Sequence, residues 1–458
     1  MPRASWHNQV AGRLGRGYCV RRLSVITLFM LALLPLRWFK VIASPAGTVY
    51  LHEVGLLLLT FVALATVRGR VFRVAVDRTL GFAAAMAAGF AVWGASCLLY
   101  RVSVSSMLKE VGYLVSFVVV VGIVILFAES RDRTGIRMLR WAGVVTTCTL
   151  ILALGVALTI NHINPATVFS NAVKTGNPSV IEAQLFRPAF AGFGYTTADA
   201  VSQLRHEVFA GLLVALLVAS WAQHLVPFQS RSARWISQVA VVMASLLIVL
   251  SLSRSVQLAA VSWPLLALIR VVARGTITRR QVVALAGVTA VVAAVAASGF
   301  LVVIFQRVTQ DSTSYTERGA KLGEALQVIG QYPWLGGHYD DTISSHNFVI
   351  DAWLRGGVLM AGLMLVALFI VVGRLLVNVS MLGRAPAFLI PVSAALVLPL
   401  VRMFTIGAGL LTPPEWVSLA FAFAATAVYE HELVRQRAAT AEQLDTAPPV
   451  PVRQVVAG

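Results

Sequence analysis

MLKEVGYLVSFVVVVGIVILF, residues 107–127, decides the class of fold. From Val111 through Ala128 no residue is charged. A helix of that length rises about 27 Å, close to the ~30 Å hydrocarbon thickness of a bilayer. The two charges of the stretch, Lys109 and Glu110, sit together at one end, where a membrane's interface would lie. Comparable runs recur along the 458 residues, which are 58% hydrophobic and only 12% charged. Soluble chains carry roughly 25% charged residues. The sequence therefore reads as an all-α polytopic membrane protein.

Working outward from that run, the apolar pattern predicts twelve transmembrane helices, at 23–43, 49–67, 79–99, 107–127, 140–160, 206–224, 236–252, 256–272, 282–304, 348–373, 386–403 and 413–430. The net charge is +18, and the arginines fall in short loops. Arg68, Arg70, Arg73 and Arg78 follow the second predicted span, Arg131, Arg133, Arg137 and Arg140 the fourth, Arg231 and Arg234 the sixth. Arg274, Arg279 and Arg280 follow the eighth, Arg374 and Arg384 the tenth. Lys/Arg bias in short loops marks the cytoplasmic side, so both termini are expected there. Basic residues spread over many loops argue against nucleic-acid binding. The basic residues before the first run, without a small-residue cleavage site, read as an uncleaved signal anchor. Cys19, Cys97 and Cys148 show no disulfide or metal spacing.

This orientation places two long polar loops, 161–205 and 305–347, on the outer side, with the turn Ser251-Leu252-Ser253-Arg254-Ser255. Lys109, Glu110, Arg205, His206, Glu207, Arg402 and Glu415 gather near the same face, and Arg355 lies about two turns into the tenth span. Ionisable groups at membrane depth are costly and line cavities or pathways; for Lys109 and Arg402, snorkelling to the interface is the other reading. In the second loop, Ser314 and Glu317 have capping-box spacing, Leu322, Ala325 and Ile329 form a helical stripe, and Gly330 and Pro333 end it. Arg318 shares the stripe, so it is directed at the protein body. There it meets an acid (Glu317, Asp340 or Glu415) or a phosphate, which its planar fork suits. Arg254 opens a helix among three serines, where lipid headgroups or a pyrophosphate would be bound. His346 is a base candidate at neutral pH, and Asn347 either caps the next helix or orients His346. Asp340 and Asp341 lack a third ligand at useful spacing, so no metal site is expected.

Taken together, these pieces resemble the bacterial O-antigen ligase and O-antigen polymerase superfamily of integral membrane glycosyltransferases. The resemblance covers roughly 240–375. It consists of Ser253-Arg254-Ser255, the helix Arg318–Ile329, Pro333-Trp334-Leu335-Gly336-Gly337, His346-Asn347 and the glycine-rich Gly356–Gly362. It implies a GT-C-like fold with a partly helical periplasmic loop. It also implies metal-independent, inverting transfer of a glycan from an undecaprenyl-pyrophosphate donor, without cofactor. The acceptor is another glycan or a lipid A core, and polysaccharide export or chain-length proteins are implied partners. The carry-over makes His346 the base for the acceptor hydroxyl and Arg254 and Arg318 the pyrophosphate ligands, in the bacterial inner membrane with the site facing the periplasm. Arg187, Arg205, Asn347 and Arg355 are further substrate-binding candidates. The chain departs from the family pattern at His338-Tyr339-Asp340-Asp341 and at Arg355, where a neutral or acidic residue is commoner.

The expected organisation is a cytoplasmic tail (1–22), an N-terminal bundle (23–235), a ligase/polymerase-like module (236–430) and a disordered cytoplasmic tail (431–458). A transporter or flippase for lipid-linked sugars is the rival reading. Such proteins commonly show internal repeats and midplane sites, whereas no repeat is visible here and the polar groups favour one face.

Overall fold

The computed structural model describes residues 17–44, 47–67, 70–130, 133–177, 179–191, 193–194, 198–275, 312–336, 345, 347–404 and 410–446. In chain order these form α1 (Gly17–Leu33), antiparallel strands β1 (Lys40–Ser44) and β2 (Gly47–Tyr50), α2 (Leu51–Val67), α3 (Arg70–Tyr100), α4 (Ser105–Glu129), α5 (Thr134–Leu139) and α6 (Ala142–Ile160). The first long loop folds as α7 (Pro165–Thr175), α8 (Ser179–Ile181), a π-helical turn (Glu182–Phe186) and α9 (Arg187–Ala191). The remainder is α10 (Ala198–Leu225), α11 (Arg231–Leu250), α12 (Arg254–Arg274), α13 (Ser312–Gln331), α14 (Phe348–Met381), α15 (Leu389–Met403) and α16 (Pro413–Thr446).

Seven helices among the described residues are long and apolar enough to cross a membrane, and Leu51–Thr66 and Leu389–Met403 are shorter apolar helices. The protein is thus an all-α membrane protein. The predicted span 282–304 lies outside the described residues. Three helices make its centre. Every residue from Leu410 to Tyr429 is buried, as are Phe117–Ile125 of α4 and nearly all of Leu204–Ala222 in α10. Helices apolar on all sides belong in such a position. Phe82, Phe117, Trp416 and Phe423 pack edge-on or tilted, with ring centroids 5.2–6.3 Å apart, and weld α3 and α4 to α16. On the periphery, Phe61, Leu98, Leu152 and Val272 point outward from the bundle.

Two expectations change. The first predicted span, 23–43, is helical only to Leu33. Pro35 has no N–H and restricts the residue before it, and the apolar residues beyond it form a turn and then β1. That turn rests on α10 at Gly211, where a Cβ would lie 2.9–3.0 Å from the Leu34 and Pro35 backbone. The tail expected to be disordered from 431 instead continues α16 to Thr446. Its Ala, Glu, Gln, Leu and Arg are good helix formers, and no proline intervenes before Pro448.

The bundle's two ends differ in chemistry. At one, arginines bind backbone carbonyls: Arg140 to Val226 and Pro227 (3.0 and 2.8 Å), Arg270 to Leu382 (3.0 Å), Arg274 to Gly383 (3.0 Å) and Arg374 to Arg78 (3.1 Å). Several of these carbonyls end or follow helices, where cations are favoured. At the other end, cations meet buried carboxylates.

Candidate functional site

The carboxylate-rich end is built from loop and helix-terminal residues. Arg37, in the turn after Pro35, pairs with buried Glu207 of α10. Lys109 pairs with Glu53 at 2.7 Å, and Glu53 also accepts the Tyr113 hydroxyl and the Tyr50 amide (2.9 Å). The Tyr50 ring has Arg37 and Lys109 5.2 and 5.4 Å from its centroid. Buried Arg402 pairs with Glu415, which also accepts the Thr412 amide and hydroxyl. Snorkelling therefore does not describe buried Arg402, whereas Lys109 is paired but exposed. Glu415, one of the acids offered for Arg318, is thus engaged by Arg402 and Thr412.

Arg355 is 3% exposed. Its guanidinium stands 5.2 Å from the Trp93 ring centroid, donates to the Asp351 carbonyl at 3.0 Å and acts electrostatically on Glu110. Glu110 in turn accepts from the Trp416 indole at 3.3 Å. A cation–π contact and a nearby carboxylate explain how a guanidinium is tolerated here. Arg355 is thus embedded between α3, α4 and α14.

α14 is bent immediately after Arg355. Gly356 has φ −135°, ψ 18°, and Gly357 has φ 67°, ψ −165°, a region open to glycine alone. The Pro333-Trp334-Leu335-Gly336 turn fills the bend. The Pro333 carbonyl accepts from the Val358 amide (3.0 Å) and the Trp353 indole (2.8 Å). A Cβ on Gly357 would lie 2.0 Å from the Trp334 carbonyl oxygen, and one on Gly336 2.7 Å from the Leu354 carbonyl oxygen. Ala325 and Ile329 of α13 close on Leu354, with Val328, Ile350 and Trp353 around them. Ala325 and Ile329 of the expected stripe thus face α14. Arg318 belongs to α13, which begins at Ser312 rather than near Ser314. The Arg318 side chain and His346 lie outside what is described.

Residues on both sides of position 346 are fixed. Buried Asp351 accepts the Ser345 amide and hydroxyl, both at 2.8 Å. Asn347 caps α14 by accepting from the Val349 and Ile350 amides at 3.0 and 3.3 Å. Of the two roles open to Asn347, this is the helix cap. Sequence reasoning passed over Asp351, although an acid inside an apolar span was itself a signal.

The third group surrounds the α11–α12 turn. Arg205 is 2% exposed. It pairs with Glu182 of the π-helical turn at 2.6 Å, donates to the Ser251 carbonyl at 3.3 Å and lies 5.4 Å from the Phe186 ring centroid. It ties the first long loop to the turn instead of opening to solvent. The next residue, His206, bonds through Nδ1 to the Ser253 hydroxyl and, at 3.3 Å, to that of Ser255. Between them lies half-buried Arg254 at the start of α12. Leu252 holds φ +53°, a left-handed conformation costing a bulky residue about 1–3 kcal/mol. Arg187 is exposed at the start of α9, whose Phe190 packs on Trp38 with centroids 5.2 Å apart.

The structure therefore brings Arg205 and Arg254 to one turn and Asn347 and Arg355 to one limb of α14. Both groups lie at the same end: α12 finishes beside Leu382 and Gly383, past the far end of α14. Among the described residues no group of three His, Cys, Asp or Glu lies close enough to hold a metal; Asp340 and Asp341 are outside them.

Fold and site define an all-α membrane protein with a layer of buried charge at one end of its bundle. Comparison with known protein families finds no family model that matches the chain, and comparison with curated proteins finds no match.

Proposed function

We propose that the chain is an inverting membrane glycosyltransferase of the O-antigen polymerase or ligase type. It moves a glycan from undecaprenyl pyrophosphate to an acceptor hydroxyl at the periplasmic face of the bacterial inner membrane. The carrying observation is the docking of the Pro333–Gly336 turn into the Gly356–Gly357 bend. Two sequence pieces of the resemblance, separated in the chain by the segment that bears His346, meet backbone to backbone. In this reading the protein has twelve spans in a GT-C-like arrangement, with both termini cytoplasmic.

The chemistry follows from the residue types. His346 takes the acceptor hydroxyl proton as the oxygen attacks the anomeric carbon. The bond from that carbon to the phosphate oxygen breaks, and its electron pair leaves on the pyrophosphate. Arg254 and Arg318 stabilise the charge that grows there. Attack opposite the leaving group inverts the centre. Arg205 and Arg355 serve as scaffold cations, since the guanidinium of each is engaged by protein groups.

The test is a gel analysis of surface and lipid-linked glycans in a strain lacking the gene, complemented with wild type or His346→Ala. Single repeats left on the acceptor, with no long ladder, identify a polymerase. Long polymer stranded on its lipid carrier identifies a ligase. Complementation by wild type but not His346→Ala is expected; full complementation by the variant removes the base assignment. An unchanged glycan profile in the deletion strain removes the transferase reading.

A further inference from the structure

His206 sits 47 residues before Ser253 in the chain, yet its Nδ1 meets the hydroxyls on both sides of Arg254. This has a consequence for Ser253. A serine at the N-cap of a helix ordinarily turns its hydroxyl onto the first-turn amides. Ser253 occupies that position of α12 and makes no such cap. Its hydroxyl is bonded to the imidazole instead. The same turn is also held through Ser251. Ser251 accepts the Ser253 amide at 3.1 Å and the Arg205 guanidinium at 3.3 Å, while Leu252 between them stays left-handed. A turn with a strained residue keeps its shape only where its surroundings over-determine it. Adjacent residues of α10, Arg205 and His206, supply that constraint, one at Ser251 before Leu252 and the other at Ser253 after it.

We propose that His206 is a positioning residue for the donor pyrophosphate. It clamps Ser253 and Ser255 and so fixes the direction in which Arg254 leaves the first turn of α12. The proposal rests on Arg254 being a pyrophosphate ligand. Precise placement matters for a bidentate guanidinium–phosphate contact, whose strength depends on alignment of a planar fork. Arg205 anchors the turn to the protein; His206 sets its orientation.

The experiment measures binding of undecaprenyl pyrophosphate to the full chain in lipid nanodiscs, with thermal unfolding of each variant recorded alongside. Arg254→Ala is expected to abolish binding. His206→Ala and the double variant S253A/S255A are each expected to weaken it about tenfold, the equivalent of one well-made hydrogen bond. Combining all three changes should weaken binding no further, because both routes remove one clamp. An asparagine carbonyl or amide can occupy the place of Nδ1, so His206→Asn should recover most of the affinity. Wild-type affinity in His206→Ala, while Arg254→Ala has lost binding, overturns the proposal and leaves the functional reading intact. So does His206→Asn binding as weakly as His206→Ala at an unchanged unfolding temperature. Arg254→Ala binding as well as wild type would instead strike the functional reading on which the proposal stands.

Discussion

Glu415 and Arg402 are both almost fully enclosed, at 2 and 3% exposure, and each is the other's counter-charge. Removing one member of such a pair strands the other without water or partner, which typically costs about 3–5 kcal/mol. Glu415→Ala, which also releases the Thr412 amide and hydroxyl, is expected to lose that much unfolding free energy in detergent. Arg402→Met combined with Glu415→Met should recover much of it, since neither charge is then buried alone. An unfolding profile of Glu415→Ala matching the wild type would mean that the pair contributes no stability. Pairs of this kind were only half legible in the sequence. Buried acids and bases near span ends were visible one by one, and Asn347 carried its capping chemistry openly. Their partners were not visible. Arg37 meets Glu207, and His206 meets Ser253, across helices whose mutual rotation no local pattern encodes. Asp351 was overlooked because the apolar run around it outweighed a single charge.

The bend in α14 depends on both glycines that form it, but Gly357 is the more exacting. Its backbone lies where L-residues almost never go, and the missing side chain is the space the Trp334 carbonyl occupies. In Gly357→Ala the Cβ must displace backbone rather than a flexible side-chain tip. The turn then withdraws and the Pro333 carbonyl loses the Val358 amide and Trp353 indole. A destabilisation of about 2 kcal/mol or more is expected, the sum of a forbidden conformation and lost hydrogen bonds. Faster amide exchange at Trp334, Leu335 and Val358 would report the undocking, and unchanged exchange there would contradict it. Gly362→Ala is the control, because a Cβ there meets no neighbour within 4 Å. The resemblance named both partners of this joint, as separate pieces in order along the chain. What it missed was the mode of assembly, because backbone docking leaves no periodic signature. The same limit explains the first span: Pro35 was present to stop the helix, but Trp38-Phe39 and Val41-Ile42-Ala43 kept the hydropathy high beyond it.

Charge at the scale of the whole molecule has a clear direction. Arginines at one end donate mainly to backbone carbonyls, beside an exposed Arg78–Glu430 pair, and at the other they meet buried carboxylates, with Arg205 and Arg355 donating to carbonyls as well. A chain that keeps these ends distinct must cross between them an orderly number of times. α12 finishes beside Leu382 and Gly383, just beyond the last residue of α14, while α13 packs on Ile350, Trp353 and Leu354 near its first. Past the bend, from Val358 to Met381, α14 rises about 35 Å at 1.5 Å per residue. Arg274 therefore stands at the far end of the bundle from Ala325 and Ile329, the residues of α13 that pack on α14, and the predicted apolar run 282–304 lies between them in sequence. The proposed twelve-span topology needs that run to be a crossing. Reporter fusions made after Arg274 and at Ser312 are expected to label from opposite sides of the membrane, the first cytoplasmic and the second periplasmic. A fusion within the α11–α12 turn should report the periplasmic side as well, since α12 runs from that turn to Arg274. If Arg274 and Ser312 report the same side, the ninth span is not a crossing, and α13 with its Arg318 no longer shares a face with Arg254. In that case the two arginines could not bind one pyrophosphate, and the transferase reading would lose one of its ligands on geometric grounds alone.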